Sequence, residues 1–398
     1  MKPLRSTPQP AGLVNPKSSL KIGFVLDDSL DRTGGVQEYI LTLGQWLGSQ
    51  GHEVHYIVST TNRTDLKHMH SLSRNIPMRF NGNYLRIPLP ASRRAIQRFL
   101  GQAELDVLHI QVPYSPFFGG IVINAANART AVIGTFHIAP KSELVYIASR
   151  LLAVLCHYSL KRFDKVVSVS TVAQKLAAEA FHLQTIVIPN VVSLQKFREA
   201  KSFPNMKTAS RLNILFLGKL VPRKGCQELL EAVRLMHQTQ PELQFGVTIC
   251  GSGPLAEPLK QFVHKHELDA FVVYTGFVSE NDKPRYYASA DIVVFPSMAG
   301  ESFGIVLLEA MASGKAAVIA GDNPGYRTLL GDCPEEVLVD PKNAAALAQK
   351  LQLLIGDAKL RSRIIQWQSQ RVRDFDVRQI GPKLLTIYRS ALQRRGNV

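Results

Sequence analysis

The sequence predicts an α/β protein built from two doubly wound, parallel-sheet domains. Three observations carry this. The 398 residues exceed what a single hydrophobic core usually supports. Short β-branched runs alternate with amphipathic stretches of helix length. The alternation breaks at a polar, proline-bearing segment, Glu199–Arg211, and then restarts.

In the first half, Leu20–Leu26 reads as a strand, followed by a helix from Val36 to Ser49 that Gly51 ends, and a strand Glu53–Val58. Asp106–Ile110, Ala131–Thr135, Lys165–Val169 and Thr185–Ile188 continue the strand series. In the second half the strands are Leu212–Leu217, Phe245–Cys250, Phe271–Tyr274, Ile292–Phe295 and Ala316–Ile319. Continuous apolar runs of this kind suit parallel strands covered on both faces. From about Asn343 the pattern is helical to the end. The expected organisation is a tail over 1–19, a first Rossmann-like domain over 20–198 and a linker over 199–211. A second Rossmann-like domain covers 212–375, and a terminal helix over 376–398 is free to pack back on the first domain.

Hydrophobic residues are 45% and charged residues 20%, which excludes intrinsic disorder. Cys156, Cys226, Cys250 and Cys333 are scattered without a CxxC pair. That argues against a zinc site and a disulfide scaffold, and for a reducing, cytoplasmic setting. No apolar run is long enough to span a bilayer, and the first twenty residues lack a signal-peptide core. The net charge is +16, of which residues 1–205 carry +11 and the remainder +5. Such an excess suits phosphate-bearing substrates or an anionic membrane surface, or serves solubility alone. No basic–aromatic interleaving points to nucleic acid.

The chemistry concentrates in Pro296–Gly314. A strand ends at Pro296, a loop carries Glu301 and Ser302, and a helix from Phe303 to Ala312 ends at Gly314. Within it Glu309 is the lone charge among apolar residues, so it either pairs with a buried cation or faces a cavity. The amides near Gly304 and Ile305 open the helix and form an anion site. Lys219, Arg223 and Lys224, in GKLVPRKG after strand Leu212–Leu217, suit a diphosphate or form a solvated loop. Gly34 and Gly35 open the first helix, where backbone approaches a ligand or turns tightly. His137 lies at the carboxyl end of strand Ala131–Thr135, where ligands collect in such sheets. Gly251-Ser-Gly253-Pro-Leu-Ala is a weak dinucleotide fingerprint, set on the second strand of its domain and without an acidic ribose reader.

Together these segments resemble the retaining glycosyltransferases of family 4, of two-Rossmann GT-B architecture. ESFGIVLLE matches the family's E-x7-E motif, and GGVQ, GTFH, GKLVPRKG and CGSGP fall in the family's order. GGVQ, DVLHI and TFH look most like phosphatidylinositol mannosyltransferases. The resemblance implies an acceptor-binding first domain and a donor-binding second one. Glu309 would bind the ribose of a nucleotide sugar and Glu301 the hexose, with Phe303, Gly304, Ile305 and Val306 along hexose and diphosphate. Arg223 and Lys224 would neutralise the leaving phosphate, with Lys219 beside them. Gly251 and Gly253 belong to the donor side, and Gly276, Phe277, Val278 and Ser279 would read the base. Gly35 would approach the diphosphate, His137 the reacting carbon, and Asp31, Gln37 and Lys141 the acceptor.

The resemblance further implies transfer of a hexose, best mannose from GDP-mannose, without cofactor or metal, to a lipid or lipid-linked acceptor. The segment's own residues read as a basic amphipathic helix, whose Arg93, Arg94 and Arg98 meet an anionic membrane surface beside Ile96, Phe99 and Leu100, or whose Ile96, Phe99 and Leu100 face the core while the arginines are solvated. Three departures stand out: His109-Ile-Gln111 for HxH, Pro189-Asn190-Val191 for PNG, and Asp28 for an aromatic residue. A soluble or glycan acceptor, a non-catalytic nucleotide-sugar binder, and a nicotinamide oxidoreductase using GSGPLA are the alternatives.

Overall fold

The computed structural model describes residues 19–31, 34–80, 83–138, 143–204, 206 and 211–396. Nearly all of the expected tail, and Lys141, lie outside the described residues. The first sheet comprises β1 (Lys21–Leu26), β2 (Glu53–Val58), β3 (Met69–Ser71), β6 (Val107–Gln111), β7 (Ala131–Phe136), β8 (Lys165–Ser168) and β9 (Ile186–Val187). Its order is β3-β2-β1-β6-β7-β8-β9, parallel throughout. An antiparallel hairpin of β4 (Asn75–Phe80) and β5 (Asn83–Pro88) stands outside it. The second sheet joins β10 (Leu212–Leu217), β11 (Phe245–Cys250), β12 (Val272–Gly276), β13 (Ile292–Phe295), β14 (Ala317–Gly321) and β15 (Leu338–Val339). Its order, β12-β11-β10-β13-β14-β15, is also parallel.

Both sheets reverse strand order beside their first strand, and in such sheets ligands bind beyond the carboxyl ends of the strands there. Every residue of β6, β7, β13 and β14 is buried, as the unbroken apolar runs require.

The C-terminal helix Val377–Arg394 returns to the first half. Ile380, Leu384, Tyr388 and Ala391 share a core with Phe24, Tyr39 and Leu43. Burying each large apolar side chain contributes about 1.5–3 kcal/mol, so this helix is an integral part of the first domain. It lies so near the helix Gly35–Ser49 that a Cβ at Gly381 would collide with the Trp46 indole.

The chain crosses between halves twice, and the crossings are joined. Val192 N–H donates to the Phe375 carbonyl at 3.0 Å, and Val377 N–H to that of Val192 at 2.9 Å. Val192, Leu194 and Phe197 pack in the second core. The first crossing thus falls near residue 191, ahead of the expected 198, because the short helix Leu194–Arg198 presents its apolar side to the second domain.

Candidate active site

Between the two sheets lies a cavity of about 480 Å³. Its second-domain wall starts at the loop after β10. Lys219 lines it, followed by the 3-10 turn Pro222–Lys224, which presents Arg223 and Lys224. Gly225, in left-handed backbone, closes the turn against the Pro296 carbonyl, where a Cβ would collide. This contact fixes the cation loop against the loop that carries Glu301. Arg223 Nη1 donates to Glu301 Oε1 at 2.9 Å and Lys224 Nζ donates to the same oxygen at 2.7 Å. Burial alone would raise the Glu301 carboxyl, but Lys224 and Arg223 more than offset it and hold it below its ordinary value.

The following helix is Ile305–Ser313, beginning two residues later than the sequence suggests. Gly304 adopts φ 92°, a conformation that stops helix propagation toward Phe303, and a Cβ there would strike the Tyr326 ring. Gly304 has no side chain to cap the first-turn amides, which open at the cavity wall beside Ser302, Phe303, Ile305 and Val306.

Glu309, one turn further in, is 1% exposed. Tyr287 donates its hydroxyl to Oε2 at 3.2 Å, and Lys283 Nζ stands 3.6 Å from Oε1. Oε1 accepts no hydrogen bond, and Glu309 lines the cavity. Burial pushes its carboxyl up to about 7; Lys283 opposes the shift, and Glu280 and Glu38 add to it. The partner is therefore a lysine. Lys283 also pairs with Glu280 at 2.7 Å, and Glu38 with Lys196 at 2.7 Å, so the network crosses from one domain to the other.

From the first domain, Gly34, Gly35, Val36 and His137 face the same space. The cleft is narrow: a Cβ on Gly35 would already touch Ile305 at 3.3 Å, and Ser170 Oγ lies 3.3 Å from Ser302 Oγ. His137 is buried, and Nε2 meets Gln111 Oε1 at 2.7 Å. Gln111 turns its Nε2 toward the His109 carbonyl at 3.4 Å, which leaves its oxygen for His137. His137 thus carries its proton on Nε2. Burial holds the ring near a pKa of about 3, so it is neutral at physiological pH. Gln111, the departure from HxH, fixes the tautomer of the histidine in the cleft. His109 is structural: its nitrogens meet Tyr388 Oη and Thr135 Oγ1, each at 2.6 Å.

Several expected residues stand elsewhere. Gly251, Phe277 and Val278 line the cavity, but Gly253, Gly276 and Ser279 do not. A Cβ at Gly253 would strike the Leu220 backbone, so this glycine serves loop packing. The Ser279 hydroxyl donates to Asp282 at 2.7 Å and accepts from the Asp282 amide at 3.2 Å, which makes it a turn-former. Asp31 and Gln37 line an adjoining hollow of about 350 Å³ that shares Gly34 with the main cavity. Ile96 and Leu100 are buried and Phe99 is half-buried. The helix Arg93–Ala103 therefore turns its apolar side to the core and leaves Arg93, Arg94 and Arg98 exposed. Lys283 and Asn190 line the cavity although the sequence singled out neither for the site. Asn190 sits in the altered PNG turn, and its Oδ1 is buried without a hydrogen-bond partner.

Two facing Rossmann-like sheets around a cation-lined cleft define a GT-B glycosyltransferase. The model described as Glycosyltransferase Family 4 matches residues 33–196, and that described as Glycosyl transferases group 1 matches 197–371. A phosphatidyl-myo-inositol mannosyltransferase of Mycolicibacterium smegmatis is 30% identical over 372 residues, 93% of both proteins. An alpha-monoglucosyldiacylglycerol synthase of Streptococcus pneumoniae is 27% identical over 331 residues, 79% of this chain and 74% of that protein. Among solved structures, HepE from Anabaena in complex with UDP-glucose has a TM-score of 0.71 at 21% identity, covering 93% of this chain and 100% of that one. Sucrose-phosphate synthase from Thermosynechococcus elongatus has a TM-score of 0.72 at 21% identity, covering 94% and 100%. The chain belongs to glycosyltransferase family 4.

Proposed function

We propose that this protein moves a hexose, best mannose from GDP-mannose, to a lipid or lipid-linked acceptor, with retention of anomeric configuration. One observation carries the donor half of this reading. Lys219, Arg223, Lys224 and Lys283 surround a cavity that also holds two carboxylates and a helix N-terminus. A nucleoside diphosphate sugar matches that array: ribose hydroxyls donate to Glu309 Oε1, and the diphosphate meets the cations and helix amides. The mannosyltransferase relatives favour mannose and an inositol-type lipid.

In the transfer, the bond from the anomeric carbon to the diphosphate oxygen breaks as the bond to the acceptor oxygen forms on the same face. The acceptor proton passes to the departing diphosphate. Charge grows on that phosphate, and Lys224, Arg223 and the helix dipole stabilise it. His137, neutral and protonated on Nε2, offers Nδ1 to a sugar hydroxyl and orients the hexose.

The cations occupy the place of a metal, so transfer needs none. Turnover with EDTA should match turnover without it, and the product of an α-linked donor should be α-linked by NMR. A strict Mg²⁺ requirement, or a β-linked product, would overturn this chemistry.

The lipid half rests on a different surface from the arginine helix. Along Glu143–Leu155 and the adjoining turn, Ile147, Leu151, Val154, Leu155 and Tyr158 are all exposed, Tyr158 to 81%. Their helical spacing makes one apolar stripe, with exposed Arg150, His157 and Lys161 on the same segment. No helix among the described residues is long and apolar enough to cross a membrane. The stripe therefore supports peripheral binding, on the cytosolic face, through anionic headgroups and shallow insertion. Each basic residue adds about 1 kcal/mol at such a surface. The protein should sediment with phosphatidylglycerol vesicles. A Leu151→Ser, Val154→Ser, Leu155→Ser variant should remain in the supernatant, and reversing Arg93, Arg94 and Arg98 should weaken only the salt-sensitive part. Wild type that stays in the supernatant at low salt would point to a soluble acceptor.

A further inference from the structure

Away from the cleft, the first sheet carries a cluster that sugar transfer does not use. β2 and β3 pair in parallel, with Tyr56, Ile57 and Val58 opposite Met69, His70 and Ser71. Side chains alternate along strands, so Glu53 and His55 share a face of β2, while His70 lies on β3 and His68 in the turn just before it, each with its ring against His55. In sequence these are Glu53-Val-His55 and His68-Met-His70.

Their polar atoms converge. His55 Nε2 lies 2.7 Å from Glu53 Oε1, and His55 Nδ1 lies 3.0 Å from His70 Nε2. One ligand atom each from Glu53, His55 and His68 fall within 4.8 Å of one another, and the His55 and His68 rings lie 4.7 Å apart. Among the described residues no other group of three or more such side chains meets this spacing.

We infer that Glu53, His55 and His68 bind one divalent transition-metal ion of the zinc class, with His70 holding the His55 ring in place. Two imidazoles and a carboxylate are a zinc donor set, and tetrahedral ligands at zinc bond lengths stand roughly 3.3 Å apart. The cluster needs shifts of tenths of an ångström to over an ångström to reach that spacing. His68 is exposed and Glu53 half-exposed, so water completes the shell and the ion has a path in. A ligating histidine commonly donates its other N–H to a neighbour, and His55 Nδ1 has His70 Nε2 for this.

The ion's role is structural. Glu53 opens β2 at its amino end, whereas the donor cavity lies beyond the carboxyl ends. β3 is a three-residue edge strand, and an ion bridging Glu53 and His55 to His68 ties it to β2. His70 in turn packs on Phe99, with ring centroids 4.4 Å apart, so the ion also steadies the helix Arg93–Ala103.

The test uses tag-free, chelator-stripped full-length protein titrated with Co²⁺ and Zn²⁺. One Co²⁺ should bind per chain with the intense visible absorption of a four-coordinate site, Zn²⁺ should displace it, and Zn²⁺ should raise the melting temperature by several degrees. His68→Gly, which suits the left-handed backbone at φ 53°, should fold and lose both effects. His55→Ala should do the same, and His264→Ala, an exposed histidine of the second domain, should change neither. Absence of stoichiometric binding, or binding that survives His68→Gly and His55→Ala, would overturn the assignment.

Discussion

Lys224→Ala lowers turnover by about 100-fold or more, with a smaller change in the KM for the nucleotide sugar. The size follows from removing one preorganised charge from a site where negative charge grows during the reaction. The asymmetry follows because the diphosphate is already an anion in the ground state and gains charge as the sugar departs. The fold should survive. Glu301 keeps Arg223 at 2.9 Å when Lys224 is lost, so no carboxylate is stranded. Steady-state kinetics over donor concentration, with circular dichroism of the variant, checks both halves. A folded Lys224→Ala enzyme with wild-type kcat would remove this lysine from the reaction.

Lys283→Met destabilises the protein by about 3–5 kcal/mol at pH 8, because it strips the counter-ion from a fully buried carboxylate. The loss should shrink in acid. Glu309 has a folded pKa raised above its ordinary value, toward about 7, so the native state binds more protons than the unfolded chain between about pH 4.5 and 7. Stability from this group therefore falls as pH rises through that window and is greatest below it. Without Lys283 the carboxyl takes up a proton more readily, and the variant closes on wild type as pH falls. Glu309→Gln should flatten the pH dependence in both backgrounds and weaken donor binding. Urea unfolding at pH 5 and pH 8 reads all four proteins. An equal loss at both pH values would mean that Glu309 is not the group left uncompensated.

The donor half was legible because its signals are local. A lone Glu309 in an apolar helix, glycines at a helix start, and cations just after a strand each lie within one short segment. Its buried counter-ion was not. Lys283 stands 26 positions before Glu309 and follows an unremarkable polar turn, so only the packing of its helix against Ile305–Ser313 brings them together. The role of Gln111 was hidden in the same way: it read as a broken motif until the neighbouring strand set it against His137. Ser279 erred in the other direction, since a serine three residues before an aspartate caps a turn as readily as it reads a base. The arginine helix misled because amphipathicity does not say which apolar face is already covered; Ile96 and Leu100 meet the core, and the uncovered stripe is fifty residues on. The histidine cluster escaped because β3 is three residues long, too short to show a period.

In the proposed reaction the inter-domain cavity holds a nucleotide sugar and its hexose passes to lipid. Release of nucleoside diphosphate from a panel of nucleotide sugars, with and without lipid extract, tests it most directly when wild type and Lys224→Ala are run side by side. One nucleotide sugar, GDP-mannose first among them, should be consumed far faster with lipid present, and the folded variant should lose this consumption. Consumption of none of the panel by wild type, or equal consumption by wild type and variant, would contradict it.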